Sequence, residues 1–161
     1  MQDRPLPTIA VAHLEAKSAL GGTRLAGVAT DFFQDLLFQT GRFTVVERRN
    51  LGRVLEEQAK DSMSRKGKMV GADLVAFGAV VEAVLRSAPP HRIAEVAVRA
   101  QVVGVDTGKL LYTSEKRGSA EESPSAGASD AETAANDEAL LNRAVRAAVE
   151  KLVEEIAQRV P

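Results

Sequence analysis

Residues 74–85 read LVAFGAVVEAVL, and this run decides the fold that we predict for the chain. Apolar residues fill both sets of alternating positions, which is typical of a central strand covered on each side in an α/β sheet. The run IAEVAVRAQVVGV at residues 93–105 instead predicts a long strand with one partly solvated face. Its buried face would hold Val96, Val98, Ala100 and Val102, and its opposite face Glu95, Arg99 and Gln101.

The segments downstream of these strands predict a hairpin, a loop and a closing helix. Residues 106–109 read DTGK, a tight turn in which Gly108 supplies the positive φ, and residues 110–115 return as an antiparallel strand. Residues 118–136 are rich in Ser, Ala, Gly and acidic side chains, so we predict a mobile loop there. Residues 137–160 have helical apolar spacing. The predicted core stripe of this helix is Leu141, Val145, Ala148, Val149, Leu152 and Ile156.

The segments upstream predict two further strands and two further helices. The apolar run TIAVAHL at residues 8–14 and the β-branched run FTVVE at residues 43–47 are typical of strands. Residues 24–40 have helical apolar spacing and end before Gly41, a helix stop signal. A second helix is predicted after residue 50, and one more helical turn within residues 63–71. The cap of the second helix would be Asn50, and its apolar face would hold Leu51, Val54 and Leu55.

Composition limits the chain to one domain with a mainly aliphatic core. The 161 residues are 45% hydrophobic and 27% charged, as in folded globular proteins. We expect a linker at residues 1–7 and a single domain at residues 8–160. The net charge of -1 disfavours nucleic-acid binding, which depends on neutralising phosphates. No run of residues is long and apolar enough for a membrane-spanning helix, so no membrane insertion by this domain is expected.

No motif for catalysis, cofactor binding or metal binding is found, so we predict a protein that is not an enzyme. Gly21 and Gly22 lie between the first strand and helix, but they form neither a dinucleotide-binding nor a P-loop pattern. His13 and His91 have no second ligand at metal-binding spacing, and the chain has no cysteine. The adjacent carboxylates at residues 56–57 and 121–122 are interpreted as solvated surface charge.

Two short basic clusters are the remaining candidate functional residues. Arg48 and Arg49 form the first, and the second follows at Arg65, Lys66 and Lys68. No aromatic side chains are interleaved with them for base stacking, which argues against a single-strand nucleic-acid groove. The ordinary interpretation is a solvated face. The functional alternative is contact with a protein partner through Arg49, Arg65, Lys66 and Lys68.

In order along the chain, these segments resemble the CsgG-like family, which contains a curli assembly and transport component. The first match is the helix end and strand at residues 39–47, followed by the helix signature that contains Arg48 and Leu51. The second match is residues 71–80, GADLVAFGAV, and the third is residues 96–109, which end in DTGK. The family-motif residues matched are Gly41, Phe43, Glu47, Arg48, Leu51, Gly78, Asp106, Thr107 and Gly108.

This resemblance implies an α/β fold with a mixed β-sheet of about five strands flanked by helices. The N-terminal domain of TolB and the lipoprotein activators of cell-wall synthases share that general architecture. The resemblance also implies a periplasmic protein tethered to the outer membrane through a lipid anchor, with protein partners in the cell envelope and no cofactors. A homo-oligomer is an open alternative. The abrupt start, which has no apolar signal region, fits either a removed targeting segment or a cytosolic protein.

The chain departs from the channel-forming members of that family in three places. Residues 15–23 are short and have no aromatic side chain to line a constriction. Residues 86–92 are too short and residues 118–136 too polar for membrane-spanning hairpins. The lipidated cysteine is missing. We therefore predict an interaction or assembly module that is not itself a pore. The alternatives are a lipoprotein activator of a cell-wall synthase and a small cytosolic enzyme.

Overall fold

The computed structural model describes residues 5–46, 71–88, 90–123 and 130–160, and for residues 130 and 131 the backbone alone. These residues form a mixed sheet with two helices on one of its faces. The strands are β1 Thr8–Val11, β2 Glu15–Ala16, β3 Thr44–Val45, β4 Leu74–Ala88, β5 His91–Gly104 and β6 Leu110–Glu122. The helices are α1 Gly22–Gln39 and α2 Asp130–Arg159.

The order of the strands in the sheet is β3-β1-β4-β5-β6, and β2 pairs with β4 beyond the end of β1. β1 is parallel to both β3 and β4, with Ile9 opposite Leu74. β4, β5 and β6 form an antiparallel meander whose strands are far longer than the parallel ones. The apolar run at residues 74–85 therefore lies at the centre of the sheet, as the sequence predicted.

Both helices pack on the same face of the sheet, which we call the inner face. Phe33 of α1 and Leu152 of α2 are almost completely buried there. On β5, Val98 and its neighbours on alternate positions are buried beneath α2. Burial of each such side chain contributes roughly 1.5 to 3 kcal/mol, so this face holds most of the stabilising apolar contact. The buried face of β5 is Val96, Val98, Ala100 and Val102, as predicted.

A second, smaller apolar cluster lies on the opposite face, which we call the outer face. It surrounds the start of β4 and the end of β5. The rest of the outer face of β4, β5 and β6 carries charged side chains. The buried members of the small cluster are Ala10, Ala12, Ala72, Val75 and Val105.

The predicted mobile loop at residues 118–136 is wrong for the two parts that the structure describes as regular elements. Residues 118–122 continue β6, and residues 130–136 begin α2. Gly118 lies against α2, where a Cβ atom would come within 2.1 Å of the Ala144 carbonyl oxygen. The glycine that resembled a loop signal therefore permits close contact between the strand and the helix. Residues 124–129 lie outside the described residues.

The other predicted boundaries need smaller corrections. The predicted first strand at residues 8–14 ends earlier, at Val11, and the short strand β2 follows it. Between the two, the Leu14 N–H donates to the Thr30 hydroxyl at 3.0 Å. β4 continues to Ala88, beyond the run at residues 74–85 that predicted it. The predicted turn forms after β5, with φ of 66° at Gly108. None of the helices in the described ranges has an apolar stretch long enough to cross a bilayer.

Several predictions fall outside the described residues. These are most of the second helix and the helical turn within residues 63–71, since residues 47–70 are not described. The same applies to three of the family-motif residues and to the candidate partner contacts. The residues concerned are Glu47, Arg48, Leu51, Arg49, Arg65, Lys66 and Lys68.

Candidate protein-interaction surface

Six of the charged side chains on the outer face of the meander form three ion pairs between arginine and glutamate. Strand alternation places these side chains opposite the face that α2 covers. A bulge between Val80 and Glu82 shifts the register of β4, which brings Glu82 opposite Ala97. On the other side of β5, Ala97 lies opposite Arg117. We call this surface the charged sheet face, and its residues are Glu82, Arg86, Glu95, Arg99, Glu115 and Arg117.

The ion pairs of the charged sheet face cross from strand to strand. An Arg99 guanidinium nitrogen lies 3.3 Å from a Glu115 carboxylate oxygen, joining β5 to β6. Arg117 donates to Glu82, and this hydrogen bond raises the pKa of the Arg117 guanidinium above its ordinary value. Arg86 donates to Glu95 in the same way across β4 and β5. Exposed pairs of this kind contribute only about 0 to 1 kcal/mol each, so stability alone does not require them.

β6 is an edge strand, and its second edge faces away from the sheet. Among the described residues it pairs only with β5. Lys151 of α2 donates its ammonium to the Arg117 carbonyl oxygen at 2.7 Å. A carbonyl oxygen has two acceptor positions, so this contact leaves one of them available. We call this edge, from Leu110 to Glu122, the open edge of β6.

Polar contacts attach α2 to the inner side of the same strands. Arg92 of β5 donates two hydrogen bonds to the Asp137 carboxylate, one of them at 2.9 Å, and they raise the pKa of Arg92. Near the other end of the helix, Lys116 lies 2.7 Å from Glu155, and this contact lowers the pKa of the Glu155 carboxyl group. These contacts hold α2 over β5 and β6 and leave the outer face uncovered by it.

Tyr112 occupies the rim between the inner face and the end of α2. Its hydroxyl donates to a Glu155 carboxylate oxygen at 3.1 Å. Burial raises the pKa of Tyr112 to about 12, because the phenolate would lose its hydration. The neutral hydroxyl therefore serves as a hydrogen-bond donor over the whole physiological pH range.

Four large apolar side chains are exposed at the end of the domain where β1 and β6 begin. α1 leads into β3 at this end of the domain, where the Thr44 N–H donates to the Pro7 carbonyl immediately before β1. Phe38 is the most exposed of the four, at 70%. The others are Leu6, Leu110 and Leu111. Scattered single apolar side chains are common on protein surfaces, so we assign no separate site to them.

Open clefts also lie on the described surface. One, of about 320 Å³, lies between the starts of α1 and α2 and is lined by Leu20, Leu85 and Leu141. Another, of about 180 Å³, lies on the outer face beside His13, Lys17 and Arg99. Within the described ranges, no group of three His, Asp or Glu side chains is placed to hold a metal ion.

The structure places the described family-motif residues at turns and close contacts. Gly41 follows α1 with φ of 70°, and Phe43 is buried in the main core. Gly78 lies where β4 and β5 approach closely, since a Cβ atom would come within 2.0 Å of the Arg99 carbonyl oxygen. In the turn after β5, the Thr107 hydroxyl accepts a hydrogen bond from the Lys109 N–H. Asp106 is exposed in the same turn.

Both histidines lie on the exposed surface and not in an enclosed site. His91 Nδ1 lies 3.0 Å from a Glu121 carboxylate oxygen and 3.3 Å from the Ser123 hydroxyl, all on the exposed end of the β5 and β6 hairpin. His13 is exposed beside the smaller cleft. The sequence indicated Arg99 and Glu95 as solvated residues of β5. It did not indicate their partners Glu115 and Arg86, because the pairing register was unknown.

Comparisons with known proteins support this fold. The family model for the curli production assembly/transport component CsgG matches residues 7–85, and the predicted resemblance to the CsgG-like family is confirmed. The predicted fold class, a mixed sheet of about five strands flanked by helices, is also confirmed. No curated protein sequence matches the chain.

Solved structures with the same fold come from several bacteria. The hypothetical protein CT253 from Chlamydia trachomatis is 11% identical with a TM-score of 0.64, over 97% of this chain and 98% of that chain. Lipoprotein GNA1162 from Neisseria meningitidis is 16% identical with a TM-score of 0.56, over 86% and 96%. PelC from Paraburkholderia phytofirmans, solved as a dodecamer, is 11% identical with a TM-score of 0.53, over 92% and 86%. At these identities the similarity establishes the fold alone.

Proposed function

We propose that this chain is a non-enzymatic interaction and assembly module of the bacterial cell envelope. It binds a protein partner through the charged sheet face and does not itself form a pore. The observation that carries the proposal is the position of the two described helices. Both lie on the inner face, while β4, β5 and β6 present Arg99, Glu115 and their neighbours on the other.

The chemistry of the charged sheet face suits recognition of a protein. Its charges alternate in sign across the strands, so a partner with the opposite alternation would gain specificity and the correct orientation from it. The ion pairs are exposed and contribute little to folding, so they can exchange partners at small cost. The face is also held rigidly, because Arg92 and Lys116 attach α2 behind it.

The assignment to the envelope rests on the family and on the fold. The CsgG match covers residues 7–85, and GNA1162, with the same fold, is described as a lipoprotein. We propose that the full-length protein is periplasmic and tethered to the outer membrane through a lipid anchor. We further propose that residues 8–160 act as one domain.

Site-specific crosslinking in cells tests this proposal directly. The chain has no native cysteine, so a single cysteine can carry a photoactivatable group at one chosen position. Thr113→Cys places the group on the exposed outer side of β6, next to Glu115 of the charged sheet face. Glu150→Cys places it on the exposed side of α2 as a matched control.

We expect a discrete protein adduct from Thr113→Cys and a much weaker one from Glu150→Cys. Reversing two charges on the face, with Arg99→Glu and Glu115→Arg in separate variants, should reduce the Thr113 adduct while circular dichroism stays unchanged. Equal adducts from both positions, or an adduct unaffected by charge reversal, would contradict the assigned face. Substrate turnover that survives repurification would contradict the non-enzymatic role.

A further inference from the structure

The open edge of β6 contains a segment whose charges are arranged symmetrically. Residues 116–122 read KRGSAEE, with two basic residues, three small residues and two acidic residues. Ser119 is the centre of this arrangement. A segment of this kind is complementary to a second copy of itself that runs in the opposite direction, because each basic residue then lies opposite an acidic one.

The faces of β6 agree with such a pairing. Arg117, Ser119 and Glu121 lie opposite Ala97, Glu95 and Ile93 of β5 on the outer face. The residues between them point to the inner face, where Lys116 contacts Glu155 of α2. In an antiparallel pair, residues directly opposite each other share a face. At each end of the segment, one charged side chain therefore lies on the outer face and one on the inner face, and these two charges have the same sign.

We propose that two copies of this chain pair antiparallel through the open edge of β6, with Ser119 on the twofold axis. Arg117 then lies opposite Glu121 of the second copy on the outer face. Lys116 lies opposite Glu122 of the second copy on the inner face. Symmetry repeats both pairs, so four ion pairs flank a centre of small side chains.

Neighbouring registers lose this complementarity. With Gly118 at the centre, Glu121 lies opposite Glu115 of the second copy, and no basic residue of the segment meets an acidic one. With Lys116 at the centre, the two Lys116 side chains oppose each other, and Arg117 opposite Glu115 of the second copy is the one type of opposite-charge pair left. An in-register parallel pair would align every charge with its own copy. Because like charges directly opposite are destabilising, the sequence selects the register centred on Ser119.

The surroundings of β6 leave room for the second copy. Gly118 has no side chain, and α2 already lies over its inner side, so no bulky group stands at the centre of the edge. α2 packs over both β5 and β6. Two copies joined at the open edge would therefore bring their α2 helices side by side, and packed helices lie about 8 to 10 Å apart.

Three of the four charged groups have a partner within their own chain that they can share. Arg117 contacts Glu82, His91 contacts Glu121, and Lys116 contacts Glu155. The side chain of Arg117 is nevertheless 55% exposed. The Arg117 carbonyl oxygen accepts one hydrogen bond from the Lys151 ammonium, and its second acceptor position remains for a hydrogen bond from the second copy.

Complementary charge reversals test the register with three proteins. The double variant K116E/R117E makes both ends of the segment acidic, and E121K/E122K makes both ends basic. Sedimentation velocity from about 1 µM to about 1 mM covers the weak range expected of a small interface. We expect the native chain to dimerise and each double variant alone to do so at least about 10-fold more weakly, because like charges then oppose. An equimolar mixture of the two variants should form a heterodimer. Folded variants whose mixture stays monomeric would overturn the proposal.

A cysteine variant tests the centre without changing any charge. In the proposed register Ser119 faces Ser119 of the second copy, whereas two copies of residue 115 lie roughly 27 Å apart along the ladder. Mild oxidation should therefore crosslink Ser119→Cys into a dimer and leave Glu115→Cys mainly monomeric. Glu115→Lys should not weaken the dimer, since Glu115 faces no charge in this register. Equal crosslinking at both positions, or a native chain that is monomeric at all concentrations, would overturn the proposal.

Discussion

The two faces of β5 and β6 belong to the same strands but have opposite roles. On the inner face Val96, Val98 and Gly118 are buried under α2, and backbone atoms of the helix approach closely. On the outer face Arg99 and Glu115 meet in an exposed ion pair. Folding stability therefore depends mainly on one face. The other face is free to change for recognition at little cost, a difference that substitutions on the two faces can measure.

The largest effect is expected at Gly118, where the inner face allows no added atom. A Cβ atom would lie 2.1 Å from the Ala144 carbonyl oxygen and 2.4 Å from the Ala148 nitrogen. Gly118→Ala must displace α2, and we expect a loss of about 3 kcal/mol in the free energy of unfolding, measured by urea denaturation. The adjacent outer-face variant Ser119→Ala is the control and should change it by less than about 0.5 kcal/mol. Similar losses from both variants would contradict the difference between the faces.

A second strong effect is expected at Thr30, the polar side chain of α1 that is completely buried on the inner side. Its hydroxyl donates to the Ala26 carbonyl at 2.7 Å and accepts from the Leu14 N–H at 3.0 Å. Thr30→Val leaves that buried N–H without an acceptor, so we expect a loss of about 2 kcal/mol in the free energy of unfolding. Thr30→Ser keeps the hydroxyl and should recover part of it. Thermal denaturation of both variants checks this, and equal losses of stability would contradict the role assigned to the hydroxyl.

A smaller effect is expected from the titration of Tyr112 at the rim of the inner face. Its pKa is raised to about 12 in the folded chain, above the ordinary tyrosine value of about 10. A raised pKa means that the folded state disfavours the phenolate. Its stabilising contribution is therefore complete below about pH 10 and is lost between about pH 10 and 12.

The absorbance of the phenolate measures this titration without interference, because Tyr112 is the single tyrosine and the chain has no tryptophan. We expect an apparent pKa well above 10 for the native chain and a smaller alkaline loss of stability for Tyr112→Phe. A titration midpoint at the ordinary tyrosine value would show that the phenol is solvated.

The smallest effect is expected on the outer face itself. Arg99 and Glu115 are each about half exposed, so a double-mutant cycle with alanine should give a coupling free energy of about 0.5 kcal/mol. This coupling should decline as salt is added. A coupling above about 2 kcal/mol would mean that the charged sheet face is part of the stabilising structure, and the contrast between the two faces would then fail.

The parts of the fold that were predictable from the sequence are those with regular apolar spacing. The meander strands, α1 and the turn at Gly108 follow from alternation, helical periodicity and turn chemistry. Residues 118–122 were misread because Gly, Ser and Glu are typical of loops. There, contact with α2 overrides local preference, and a glycine is required by a neighbour far away in sequence.

The candidate surface was less predictable than the fold. The alternation along β5 indicated that Glu95 and Arg99 are solvated, but their partners depend on the bulge between Val80 and Glu82 and on the register of β6. Neither can be read from one strand alone. The family resemblance was found from short matches in the correct order. Such matches are informative because some of their positions, such as Gly78, must be glycine for the backbones of two strands to approach closely.

The strand order also bears on how quickly different parts of the chain can assemble. β4, β5, β6 and α2 are consecutive, so their contacts close short loops, whereas β1 pairs with β4 across about 65 residues. Short loops close at lower entropic cost, so the meander and α2 should form in the folding transition state before β1 is added. We expect Val98→Ala mainly to slow folding and Ile9→Val mainly to speed unfolding, as stopped-flow kinetics can measure. The long antiparallel strands would then serve as the template on which the parallel half of the sheet is completed.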